Sequence, residues 1–449
     1  MWRKPLCALI CALMASLCLS ACARPSPELS DLAPLFADER AEVLAALSSR
    51  SGEISREDIR TPRGSARRTR FPDGSLFWCE CSVESFSLTL TASGGWRLTR
   101  LNPADNRAPI LAESEELLLL LQPPLAREPA RLTGSNYRAV DSLNGTVSCS
   151  GEALTLRFSG ECADWWLYAA PGAKAADWLS WISLCAVDKF GGDNRMTLDG
   201  YYYTTPENYK PSGPGLYWRI PAAYIATRLA RQTEEHHAHQ LSAAMLDLHT
   251  AHYNEAGFFP SLPESRWLSG DYAIGTGFHD TRFNTDLAYA LLLLGKSEGI
   301  SAYREKALGY AQFLCTHADS AAERSENGGI FAPDYSHPSG NLPTLTSLNH
   351  QLAEILFLLE TEKPAYTAVA RRLLLAIEDT AALWLRPDGD LHYARYPDGT
   401  FGGIDYPYLT YNDLYALNRY LGGNPALQLL MDSKLQWMTE RGITGYITD

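Results

Sequence analysis

Thr281-Arg-Phe-Asn-Thr-Asp-Leu-Ala-Tyr-Ala-Leu-Leu-Leu-Leu294 aligns with Thr346-Ser-Leu-Asn-His-Gln-Leu-Ala-Glu-Ile-Leu-Phe-Leu-Leu359 and with Leu409-Thr-Tyr-Asn-Asp-Leu-Tyr-Ala-Leu-Asn-Arg-Tyr-Leu421. Asn284, Asn349 and Asn412 recur at intervals of 65 and 63 residues. Each copy reads as an apolar helix, and each is followed by a second helical pattern, over 302–316, 365–385 and 426–439. Glycine-containing reversals with an apolar residue behind them punctuate the repeat: Gly257-Phe-Phe259, Gly328-Gly-Ile-Phe331, Gly389-Asp-Leu391 and Gly442-Ile-Thr-Gly-Tyr446. An earlier copy fits 216–230 followed by 234–253. A two-helix repeat cannot bury both of its apolar faces alone, so the copies must stack. An (α/α) toroid or incomplete barrel of about four helix pairs is the natural closure, with the more apolar helices inside; an open solenoid satisfies the same periodicity.

Upstream the periodicity changes. Ser75–Val83, Ser85–Thr91, Glu116–Leu121, Ala153–Phe158 and Asp164–Tyr168 are short runs in which apolar residues alternate with Ser, Thr or Glu, bounded by Gly and Pro. That is the pattern of an antiparallel sandwich or barrel. The expected fold class is therefore α+β multidomain, an N-terminal antiparallel β domain at 71–172 followed by the helical domain at 173–449.

The N-terminus carries Arg3 and Lys4, an apolar run from Leu6 to Leu19, and Leu19-Ser20-Ala21-Cys22. The run is too short to span a bilayer and has the layout of a secretory signal. Its end resembles the lipobox of bacterial lipoproteins, which implies removal of 1–21 and lipidation of Cys22. The expected product is exported to the cell envelope and lipid-anchored, with 22–70 holding a tether and a short helix over 31–47. Cleavage moves the formal charge from −13 to −15, which excludes general affinity for nucleic acid. The arginines between Arg56 and Arg70 read as a solvated loop. Of ten cysteines, Cys149 and Cys162 flank a hairpin pattern and form the first pair to expect. Cys79 and Cys81 have no second close pair, so no zinc site is implied. Glu234-Glu-His-His-Ala-His239 opens an outer helix and reads as a solvated helix start.

The loops entering the inner helices converge at one end. They bring together His279, Asp280, Arg282, His350, Asp405, Tyr406, Tyr408 and Tyr411, with His392 and Tyr393 from the preceding reversal. Opposite lie Tyr201, Tyr202, Tyr203, Tyr209, Tyr217 and Trp218. Aromatic faces beside carboxylates and histidines suit sugar rings, which stack through their C–H faces and need polar partners for their hydroxyls. The recurring asparagine reads as structural, capping or bridging neighbouring helices.

Asp405-Tyr406 followed by Thr410, Asn412, Leu414 and Leu417, with Asp390-Leu391 upstream, resembles the C-terminal motif of the D-glucuronyl C5-epimerase family. The resemblance implies a β-rich domain before an α/α barrel, no cofactor, a uronate-containing extracellular polysaccharide as partner, and Tyr406 as a catalytic tyrosine. The implied reaction removes the C5 proton and returns it from the other face. Such chemistry needs groups on both faces and a cation at the carboxylate. His392 or Tyr393 is expected opposite Tyr406, and Arg282 or Arg395 as the cation. His279, Asp280, Asp405, Tyr408, Tyr411 and Tyr217 would complete the substrate site. The family's second tyrosine is replaced by Gly389. A one-sided base suits a uronate lyase, a hydrolase would use Asp280 with Asp405 or Asp390, and a non-catalytic glycan-binding lipoprotein fits the aromatics.

Overall fold

The structure is a computed structural model that describes residues 54–103, 108–115, 117–126, 131–133, 136–138, 145–160, 163–184, 195–203, 219–232 and 235–447. The signal segment, Cys22, the expected helix over 31–47, Cys162, Tyr209, Tyr217 and Trp218 lie outside the described residues, as do the side chains of Tyr202 and Tyr203.

The first part is antiparallel strand. β1 (Ser55–Thr61), β2 (Gly64–Arg70), β3 (Leu76–Ser82), β4 (Phe86–Thr91), β5 (Arg97–Arg100), β6 (Ile110–Glu113) and β7 (Leu117–Ala126) come first. β8 (Arg131–Thr133), β9 (Asn136–Arg138), β10 (Gly145–Ser150), β11 (Ala153–Phe158) and β12 (Ala163–Pro171) follow. A seven-stranded sheet runs β1-β2-β3-β12-β7-β6-β5, and a three-stranded sheet β10-β11-β4 covers one of its faces. Strand alternation sends Trp78, Trp165, Leu167, Leu119 and Leu121 into the core between the sheets. Their neighbours Phe77, Cys79, Trp166, Tyr168, Leu118 and Leu120 go the other way, into the core shared with the helices. β7 and β12 are thus buried on both faces, which explains their unbroken apolar runs.

The arginine-rich segment expected to be a loop is β1 and β2, so the sheet begins at Ser55 and the boundary expected at residue 71 falls inside it. Ion pairing explains why arginines tolerate strand positions here. Arg67 Nε lies 2.7 Å from Asp58 and Arg63 Nε 2.9 Å from the buried Glu80, while Arg68 pairs with Glu57. Cys149 is exposed on β10, and its expected partner Cys162 is outside the described residues.

The second part is helical. After α1 (Ala175–Leu184) and a small sheet of β13 (Arg195–Met196), β14 (Tyr202–Tyr203) and β15 (Arg219–Ile220) come α2 (Tyr224–Gln232) and α3 (His236–Thr250). A short α4 of about two turns (Arg266–Tyr272) precedes α5 (Thr281–Ser297), α6 (Ser301–Ser320), α7 (Leu348–Glu360), α8 (Pro364–Thr380), α9 (Leu409–Tyr420) and α10 (Pro425–Glu440). These give four pairs, α2/α3, α5/α6, α7/α8 and α9/α10, at the positions the repeat predicts. The first helices pack in the series α2, α5, α7, α9. Two of the three recurring asparagines tie their helix to a following or preceding segment, while Asn349 Oδ1 is buried with no hydrogen-bond partner among the described residues. Asn284 Oδ1 accepts from Phe259 N at 2.7 Å, its Nδ2 donates to Phe259 O and Asp280 O at 3.0 Å each, and Asn412 Oδ1 accepts from Ile447 N at 2.9 Å.

The N-terminus of α3 packs on the sheet and is not a solvated start. Its histidines diverge to separate partners around the helix, His236 to Asp73, His237 to Tyr168 and His239 to Glu298. Arg56 adds a 2.8 Å ion pair to Asp247 on the same helix. No helix among the described residues is long and apolar enough to cross a membrane.

Candidate active site

Short strands lead into two of the inner helices and tie the reversals to them. β16 (His279–Asp280) precedes α5 and pairs with β17 (Tyr335–Ser336), setting Asp280 opposite Tyr335. β18 (Thr346–Ser347) precedes α7 and pairs with β19 (His392–Arg395), which pairs with β20 (Phe401–Ile404). These pairings collect residues from three repeats at one end of the helical row.

Asp280 caps α5, its Oδ1 accepting from Phe283 N at 3.0 Å. A helix N-terminus alone would keep the carboxylate ionised. Burial outweighs that and, with Asp286 adding like charge, pushes Asp280 up to about 7. Asp334 is buried beside it, holding the Ser347 N–H at 2.8 Å and its hydroxyl at 2.5 Å, and is raised well above the carboxylate range by burial. Glu354, in the middle of α7 and beside Thr281, is pushed up to about 7 by burial. Thr281 Oγ1 lies 2.8 Å from His350 Nδ1, and burial together with nearby Arg282 keeps that imidazole neutral.

Two tyrosines lie within electrostatic reach of this acidic group. Tyr406 is 47% exposed and meets Tyr393 edge to face, with ring centroids 5.8 Å apart. Both phenols are raised above their ordinary value by burial first; Asp280 and Asp334 then raise each further. The arrangement brings together three of the expected residues, Asp280, Tyr393 and Tyr406.

The remaining expected residues are placed elsewhere. His392 precedes Tyr393 on a strand and so points to the opposite face, where its charged neighbours are Arg386, Asp388 and Asp390. His279 is fully buried, with Tyr310 Oη 3.2 Å from its Nε2 and the rings of Phe258, Phe313 and His317 around it. These contacts hold its ring in the core. Arg282 donates to Asp286 at 2.8 Å, to Asn349 O at 2.9 Å and to both oxygens of Asp413, so its charge ties α5 to α7 and α9. Arg395 donates to Glu323 at 3.0 Å and lies over Phe331. Neither arginine is free to meet a substrate carboxylate. Tyr411 packs on Tyr446, and Tyr408 lies against Gly445, both in the C-terminal segment. Tyr201 is buried against His252 and Phe259, and Tyr217 lies outside the described residues.

Asp405 is engaged with Lys434 and Thr410. Lys434 of α10 is fully buried and sits 2.5 Å from Asp390 Oδ1 and 2.8 Å from Asp405 Oδ2, while Thr410 donates to Asp405 Oδ1 at 2.6 Å. The Asp-Leu and Asp-Tyr motif residues form a buried latch that holds the loop from which Tyr406 projects. Lys434, Asp334 and Glu354 were not anticipated. A lone acid inside the apolar run Leu-Ala-Glu-Ile-Leu was a visible signal for Glu354; Asp334 and Lys434 left none. Among the described residues, no group of three or more His, Cys, Asp or Glu is placed to hold a metal ion.

No family model and no curated protein matches the chain. Solved structures resemble it distantly. A crystal structure of D-mannose isomerase has a TM-score of 0.38 at 14% identity over 56% of this chain and 63% of that one, so the match takes in less than two thirds of the isomerase. Cellobiose 2-epimerase from Bacillus thermoamylovorans B4167 has a TM-score of 0.38 at 12% identity over 57% of this chain and 68% of that one. Unsaturated glucuronyl hydrolase from Bacillus sp. GL1 has a TM-score of 0.33 at 14% identity over 49% and 59%. Superpositions at this level assign the chain neither a family nor an activity.

Proposed function

We propose that the chain is a lipid-anchored, exported polysaccharide-modifying enzyme that works by proton transfer at C5 of uronate residues, in the manner of a D-glucuronyl C5-epimerase. The carrying observation is the contact of Tyr406 with Tyr393 within electrostatic reach of Asp280. General acid–base catalysis requires two groups whose environments separate their proton affinities. Asp280, near 7, is ionised above neutrality and is therefore the group of the pair available to accept a proton. Tyr406 stays protonated and is the donor. Proton removal by Asp280 and return by Tyr406 from another direction gives epimerisation; loss of the C4 substituent after removal gives a lyase product.

The engagement of Arg282 and Arg395 favours a second reading, since a neutral sugar needs no cation. There Asp280 serves as the acid of a glycoside hydrolase. The test is a substrate panel of uronate-containing and neutral polysaccharides with wild type, Tyr406→Phe and Asp280→Asn. Turnover confined to uronate polymers and lost in both variants supports proton transfer at C5. Cleavage of neutral glycans that survives Tyr406→Phe transfers the assignment to the hydrolase.

A further inference from the structure

α4 interrupts the connection between the second repeat's reversal and α5, and it has a small core of its own. Ser265 caps its N-terminus at Leu268 N, and Ala273 closes it in the left-handed conformation at φ 58°. Leu268, Tyr272, Ile274, Phe278 and Tyr335 form a cluster separate from the main core. What this cluster supports is Trp267. Its indole is 36% exposed and is braced edge to face by Tyr272 and Tyr335, each with centroids 5.7 Å away and interplanar angles of 84° and 90°.

Two perpendicular supports leave a large ring fixed while its remaining surface faces solvent. The indole N–H has no acceptor among the described residues, and it is not buried. Tyr335 is the strand partner of Asp280 and contacts His350, with centroids 5.8 Å apart. Trp267 therefore stands one ring away from the acidic group.

We propose that Trp267 is a binding subsite for a sugar residue adjoining the one that reacts, so that the ligand is a glycan chain and not a monosaccharide. This rests on the assignment of the acidic group as a carbohydrate site. A pyranose presents an apolar C–H face to the indole and a hydroxyl to its N–H, and a rigid aromatic contributes contact at small entropic cost. An aromatic contact of this kind is worth up to about tenfold in affinity.

The test is calorimetric binding of the full chain to glucuronic acid, a glucuronate-containing tetrasaccharide and a neutral glucan tetrasaccharide. Trp267→Ala is expected to weaken the tetrasaccharide about tenfold, Trp267→Phe by less, and neither to change the monosaccharide. A second measurement uses the unmutated protein: bound tetrasaccharide protects Trp267 from N-bromosuccinimide oxidation, read by peptide mass spectrometry. Unchanged tetrasaccharide affinity in Trp267→Ala, or oxidation of Trp267 unaffected by bound ligand, overturns the subsite and leaves the C5 reading intact. Trp267-dependent binding of the neutral glucan alone supports the subsite and removes the uronate reading. Binding of no glycan overturns both.

Discussion

Asp280 concentrates the chemistry of the site in one carboxyl group whose pH behaviour carries a sign. Its folded value near 7 lies above the unfolded value of about 3.9, so between those limits the folded state holds a proton that the unfolded state has lost. The contribution to stability is complete below about pH 4 and disappears as pH rises through 7. Asp280→Asn keeps the helix cap and removes the ionisation. Thermal melts should therefore show little difference from wild type at pH 4 and a stabilised variant at pH 8, by roughly 4 kcal/mol. Equal effects at both values would contradict the buried acid. Turnover should rise through pH 7 as Asp280 ionises, and the variant should lack that limb. Tyr406 and Asp280 were both legible from the converging loops. His279 was not, because a histidine before a helix reads the same whether its ring faces a cleft or the aromatic side of α6.

At the scale of elements, α10 is fastened to the site by one lysine between two aspartates. Removing the charge in Lys434→Met leaves Asp390 and Asp405 buried without their counter-ion, which costs about 3–5 kcal/mol. Urea denaturation should show that loss, and adding Asp390→Asn and Asp405→Asn should recover a large part of it, since neutral amides need no counter-ion. A triple variant no better than Lys434→Met would contradict the ionic latch. The helix pairs were readable because an apolar stripe and a recurring asparagine report local periodicity. The latch was not: Lys434 lies within an amphipathic outer helix, and nothing in one sequence says that residues 44 and 29 positions earlier enclose it. The same limit turned the arginine cluster into a loop, when Arg67 and Arg68 pair with Asp58 and Glu57 across β1 and β2, Arg63 with Glu80 of β3 and Arg56 with Asp247 of α3.

The whole molecule is organised by the seven-stranded sheet, which has the small sheet on one face and α1 and α3 behind the other, where Trp178 and His237 meet Tyr168. Trp165 and Trp166, adjacent on β12, belong to the two different cores. Because the second core continues from the sheet into every helix pair, sheet and helices should unfold in one cooperative transition. Calorimetry of Trp166→Ala should shift that single transition to lower temperature, by about 3–5 kcal/mol of stability. Two separated transitions in wild type would show that the domains are energetically independent. Alternation made the sandwich legible, but which strands face helices depends on contacts more than a hundred residues apart.

The most direct test of the central claim is incubation with a glucuronate-containing polysaccharide in deuterated water, reading deuterium at C5 by mass spectrometry. Removal of the C5 proton by Asp280 and its return by Tyr406 predict deuterium uptake with inversion at C5: Asp280→Asn loses the uptake, Tyr406→Phe loses the inversion, and His392→Ala keeps both, because His392 faces away from the site. Uptake that survives Asp280→Asn, inversion that survives Tyr406→Phe, or no uptake on any uronate polymer would contradict it.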